Sequence, residues 1–184
     1  LVNIGDNDRA ALLQQLMIVQ SFSPKVIGLD VTFLSQKNPE VDSVLKAMLH
    51  ADVPVILTSN IGYEENDKAK KDFLLETNNP YFEKGKDEGF GNFLAEEGET
   101  VRYYSPKLIK DGETIYAFTS KIVQAYDSTL LDILFSRNNK SEIINYKTNS
   151  FPKLDVSDVY GSADLSFLRG KIVLMGYMGP SFSQ

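Results

Sequence analysis

The stretch "KVIGLDVTFLSQKNPEVDSVLKAMLHADVPVILTSN", Lys25 to Asn60, holds two apolar runs with one helical pattern between them. The first run, "KVIGLDVTF", follows the turn at Pro24 and reads as a buried strand. The second, "VPVILTSN", reads the same way. Between them, Pro39 suits the opening of a helix, and Val41, Val44, Leu45, Met48 and Leu49 form one apolar stripe. Ahead of them, "DNDRAALLQQLMIVQSF" sets Leu12, Leu13, Leu16, Met17 and Val19 at helical spacing, with Asp6, Asn7 or Asp8 as its cap. Helix, strand, helix, strand at these separations predicts parallel strands joined by crossover helices.

Beyond Asn60 the pattern changes. Residues 63–89 are polar and turn-rich and predict a short helix and an exposed loop. "GFGNFLAEEGETVRYYSPKLIKDGETIYAF" predicts antiparallel strands turning at Glu97–Gly98 and Asp111–Gly112. "AFTSKIVQAYDSTLLDILF" returns to helix, and "EIINY" reads as a strand. "GKIVLMGYMG", Gly170 to Gly179, reads as a last parallel strand running into a glycine loop. The fold class expected is α/β: a mixed, mainly parallel sheet flanked by helices, with an antiparallel insertion in the middle. Residues 1–184 read as one domain cut from a longer protein at both ends, since the chain opens abruptly and the glycine loop stands close to its end.

Bulk properties narrow the function. A formal charge of -6 and a pI near 4.9 disfavour nucleic acid or an anionic membrane surface as partner. With no cysteine, disulfides and thiolate chemistry are excluded. The longest apolar runs are far shorter than the roughly 20 residues that cross a bilayer. His50 is the only histidine and ends the second helix, which leaves little from which to build a catalytic or zinc site. There is no G-x-S-x-G elbow and no phosphate-binding glycine pattern, and "GYMG" lacks the dinucleotide fingerprint. "NIGDND" and "EENDKAKKD" are rich in oxygen ligands but do not follow a calcium-loop pattern. Neither a cofactor nor a metal is expected.

Ligands of open parallel sheets collect beyond the carboxyl ends of the strands. The first strand ends in Asp30, the second in Thr58, Ser59 and Asn60, and the last in Gly176 to Gly179. If these ends are neighbours, a carboxylate, hydroxyl and amide groups and free backbone N–H groups face one crevice. The same residues also serve as loop caps and turn formers. Arg102 is suited to an anion or to an acidic neighbour. Tyr103 and Tyr104, adjacent in a strand, point to opposite faces, so one of them is a candidate for a partner surface.

The runs "RAALLQQL…SPKVIGLDVTF", "VDSVLKAML…VPVILTSN", "GFGNF…ETVRYYSPKL" and "FPKLDVSDVY…LRGKIVLMG" resemble the CHASE2 extracellular sensory domain of bacterial membrane receptors. Asp30 matches the aspartate of that family's first strand, Asp42 an aspartate at the next helix, and Gly91, Asn92 and Arg102 its middle passage. Glu97 and Glu99 stand where aspartate is usual. Leu168 to Gly176 match its closing strand. The resemblance implies a non-enzymatic input domain outside the inner membrane, in the periplasm or extracellular space, attached by membrane segments to a cytoplasmic output domain. It implies an unknown small ligand or an envelope protein as partner, and a homodimer in the whole receptor. Taken with the strand ends, it makes Asp30, Ser59, Asn60, Asn92, Arg102, Gly176 and Gly179 the candidate ligand residues. The alternative is an envelope protein–protein interaction module that uses the antiparallel middle and its tyrosines.

Overall fold

The computed structural model describes residues 1–63, 73–82, 87–92, 100–146, 151–161 and 164–179. The turn expected at Glu97–Gly98 and the acidic run 64–72 lie outside them.

Strand β1 (Val2–Asn3) leads to helix α1 (Arg9–Ser21), which starts where the Asp8 carboxylate accepts the Ala11 N–H at 2.9 Å. Strand β2 (Val26–Asp30) follows, then helix α2 (Pro39–Leu49), opened by the Asn38 cap and by Pro39, then strand β3 (Val55–Tyr63). These elements fall where the sequence puts them, except that β3 does not end at Asn60 but continues to Tyr63, where the strand Phe73–Glu76 pairs with it. Along β2, Ile27 and Leu29 pack with Leu16, Val19, Leu45, Leu49 and Leu57 under α1 and α2. Val26 faces the other way, against Ile56 and Ile122. Both sides of the strand are therefore covered, which is why the run is apolar throughout rather than alternating.

The sheet order is β1-β10-β2-β3-β4, where β4 is Phe73–Glu76 and β10 is Ile172–Gly176. The closing strand lies between β1 and β2 and runs parallel to both. Strand β5 (Glu88–Phe90) pairs in parallel with Leu57–Ser59, and β4 pairs antiparallel with Asn60–Tyr63. The long β3 thus shares one outer edge between two partners in succession. Strand β6 (Tyr103–Tyr104) pairs antiparallel with β9 (Glu142–Ile143), and β7 (Lys107–Lys110) with β8 (Glu113–Tyr116). The β7–β8 turn has Asp111 at φ 51° and Gly112 at φ 83°, the two left-handed residues a tight hairpin requires. The fold is α/β, mainly parallel, flanked by helices and interrupted by antiparallel pairs.

Three elements depart from the sequence reading. "FLLE" is a strand, although the surrounding polarity suggested helix and loop. "EGF" joins the parallel sheet instead of opening the antiparallel set. Its glycine permits this, because a Cβ on Gly89 would stand 2.7 Å from the Phe118 backbone. The expected long helix is two, α3 (Phe118–Tyr126) and α4 (Ser128–Ser136). Asp127 between them is extended, and its carboxylate accepts the Thr129 N–H at 3.0 Å and the Thr129 hydroxyl at 2.6 Å. An aspartate with a local partner of this kind favours a cap over an interior helical position. Helix α3 covers the face opposite α1 and α2, and lies so close to β2 that a Cβ on Gly28 would meet the Ile122 side chain at 2.5 Å. The short helix α5 (Val156–Tyr160) packs beside α1.

Candidate functional site

Side chains alternate along a strand, so Asp30 points to the same side as Val26 and Gly28, the side that α3 covers. The helix does not shield it: Asp30 is exposed at the carboxyl end of β2. No described residue hydrogen-bonds its carboxylate. Gly176 is its register partner on β10, and a Cβ there would stand 3.2 Å from the Asp30 Cβ. On the other side, a Cβ on Gly91 would press on the Thr58 hydroxyl and reach within 3.9 Å of Asp30 Oδ1. Two glycines therefore flank the carboxylate, and each is required by close approach.

The other candidates divide. Ser59 is only 2% exposed, and its carbonyl accepts the Gly91 N–H at 2.9 Å. Asn60 is half-buried beside the next loop, its amide 3.5 Å from the Thr32 hydroxyl. Asn92 spans the backbone of Ile61, accepting its N–H at 2.8 Å and donating to its carbonyl at 2.6 Å. In this way it extends the sheet by one side chain. Asn92 also lines a cavity of about 410 Å³ between the end of β5, the start of α3 and the β6–β9 ribbon. Arg102 is exposed just before β6, with its carbonyl accepting the Ile144 N–H at 2.9 Å. Gly179, at φ 115°, has its carbonyl bonded to Asn3. Asp30, Gly176, Ser59 and Asn60 therefore share the carboxyl edge, Asn92 stands one strand further out, and Arg102 belongs to the ribbon.

Sequence reasoning missed two asparagines that build this edge. Asn3 is fully buried and makes four hydrogen bonds. It donates to Asp155 Oδ1 at 2.9 Å and to the Gly179 carbonyl at 3.0 Å, and accepts the N–H groups of Gly5 (3.1 Å) and Met178 (2.9 Å). The Met178 N–H is therefore engaged, where the sequence suggested free donors in the glycine loop. Asn78 accepts the Phe33 N–H at 2.6 Å and donates to the Thr58 carbonyl at 2.9 Å, joining the loop after β2 to strand β3. Neither asparagine sits in a recognisable motif. The cue available was an amide in a turn-rich stretch, which most often signals a turn alone.

The loop that leaves Asp30 is strapped by an ion pair. Arg9 donates to Asp42 Oδ1 at 2.7 Å and to the Ser35 carbonyl at 3.0 Å, while Asp42 Oδ2 accepts the Lys37 N–H at 2.6 Å. The guanidinium lies over the rings of Phe33 and Phe82, 5.3 and 5.1 Å from their centroids. Burial pushes the Asp42 carboxyl up, but the Arg9 and Lys37 hydrogen bonds and charges outweigh it and hold the group below the usual carboxylate range. His50 caps the end of α2 through its Nδ1, 2.8 Å from the Lys46 carbonyl. Among the described residues no three acidic or histidine side chains group as a metal site. Among them, too, no helix is long and apolar enough to cross a membrane.

The described residues thus form a mainly parallel sheet covered on both faces, with its carboxyl edge open at Asp30. The model of the CHASE2 domain family matches residues 4–184, and the chain belongs to that family. It is the extracytoplasmic sensory domain of a membrane receptor, and it is not itself an enzyme. No curated protein and no solved structure matches the chain.

Proposed function

We propose that the domain senses a small polar ligand at the carboxyl edge of its sheet, anchored by Asp30. The observation that carries this reading is the exposed Asp30 carboxylate, which no described residue hydrogen-bonds and which two close-packed glycines flank. A group without an internal partner has its hydrogen-bonding capacity available to a ligand. Asn60 and the backbone at Gly176 are within the same edge, and Asn92 extends it. Ser59 supports it from beneath and Gly179 stands at its β1 side, while Arg102, on the ribbon, is the candidate farthest from the anchor in this reading. Binding would signal by favouring one arrangement of the edge loops over another, which shifts the population seen by the rest of the receptor.

Native mass spectrometry of the domain exported from its own host tests this. A retained small molecule that is lost in Asp30→Asn, with the melting temperature nearly unchanged, is the expected outcome. A large drop in melting temperature would instead assign Asp30 to the fold.

A second reading, an envelope protein contact or a homodimer, has its own support. Tyr103, Ile109, Ile143 and Tyr146 in the antiparallel part are all more than half exposed. A ligand-free mass in a defined dimer favours that reading and overturns the first.

A further inference from the structure

We infer that the cavity of about 410 Å³ beyond β5 binds a small uncharged molecule with a planar ring and an accepting oxygen. The cavity shares Asn92 with the candidate residues but not Asp30, so the inference goes beyond the reading above and concerns a second site. The volume falls within the roughly 300–1,000 Å³ usual for small-molecule sites. The position is also suitable, at the carboxyl end of a parallel strand.

Lining chemistry selects the class. The described lining includes Phe90, Phe118, Tyr103, Tyr104 and Ile143, and none of the described lining residues is charged. An ionised ligand would give up its hydration there without a counter-charge, a cost that a neutral ring does not meet. Aromatic walls offer stacked or edge contacts to such a ring. The polar groups are the hydroxyls of Ser105 and Thr119 and the amide of Asn145. Helix α3 begins at this wall, and its first intrahelical bond is donated by Lys121 to Ala117. The Thr119 N–H precedes that bond, so the wall also supplies a donor suited to an accepting oxygen. The Asn92 amide is engaged with Ile61, which fixes the floor of the cavity and leaves recognition to the other groups.

Three probes of one shape and different charge test the inference: benzamide, benzoate and benzamidine, titrated into the 184-residue chain and followed by amide NMR. Benzamide is expected to shift the Thr119 and Ile144 amides saturably, with benzoate and benzamidine about tenfold weaker or worse. Tyr103 is 59% exposed, so Tyr103→Ala should leave the fold intact and weaken benzamide by about fivefold. Ser141→Trp, at an exposed position on the cavity rim, should block the probe by filling the space.

Equal binding of a charged probe overturns the ligand class. Shifts centred elsewhere, or no saturable shift with any probe, overturn the site. The two readings fail separately. If a natural ligand is lost in Asp30→Asn and no probe gives a saturable shift at Thr119 and Ile144, the sensor stands and the cavity is excluded. If benzamide binds here and no natural ligand is retained by the domain, the cavity stands and the Asp30 anchor falls.

Discussion

Three asparagines decide the shape of the carboxyl edge, each by using both ends of its amide. Asn92 imitates a strand neighbour to Ile61, Asn78 ties a loop to strand β3, and Asn3 satisfies all four of its hydrogen-bonding positions without exposure. A buried amide is stable only when fully paired, so its partners depend on it equally. Replacing Asn3 by leucine strands the Gly5 and Met178 N–H groups and takes a donor from the buried Asp155. The expected loss is on the order of 3 kcal/mol in urea unfolding. Asn3→Leu as stable as the wild type would show that the glycine loop holds without this amide. None of this was visible in the one-letter code, where an asparagine that caps, bridges or merely turns looks the same. Asp30 was visible, because a carboxylate closing an apolar run breaks the pattern that precedes it.

Helix α1 carries one exception to its apolar face. Gln15 is fully buried, and neither its amide oxygen nor its nitrogen has a hydrogen-bond partner. Gln15→Met keeps the length and flexibility of the side chain while removing both unpaired atoms. The midpoint of denaturant unfolding should rise, by about 1–2 kcal/mol in free energy. A fall would mean that the amide is paired in solution.

The helical stripes of α1 and α2 could be read in advance, except for the exposed Met17 and Val44, because their periodicity is set by a core that lies on one side. The break between α3 and α4 could not, because apolar spacing continues through it and only the local bonds of Asp127 show the change. The strands β4 and β5 were missed for a related reason. Each is short, and what makes Glu88–Phe90 a strand is the bare glycine under α3, a contact that exists only after folding.

For the molecule as a whole, acid is the informative variable. The Asp42 carboxyl is held below its ordinary value of 3.8 in the fold, so its contribution to stability is complete above the unfolded value and is lost as pH falls through the folded one. Unfolding free energy should therefore decline steadily below about pH 4. Asp42→Asn should be destabilised by about 3–5 kcal/mol at neutral pH, since it leaves Arg9 beside the core without its counter-ion. Its stability curve should also be flatter in acid than that of the wild type. Parallel curves would locate the acid sensitivity in other carboxylates. The layered α/β architecture was legible from the spacing of four elements, because crossover geometry permits few alternatives. Strand order was not, since apolar β10 reads equally well at the centre or the margin of a sheet.

That order has a consequence for how the chain is made. Strand β1 pairs with β10 and, at Val2, with Leu154, and β2 meets β10 on one whole edge, so residues far apart in the described chain must find each other before the sheet closes. Pairings of such separation form slowly, because the intervening loop must first surrender its freedom. During synthesis, then, helices α1 to α5 and strand β3 all precede β10, and the middle of the sheet is vacant until that strand follows. An exported domain built this way gains β10 late, and can remain open and threadable until it arrives.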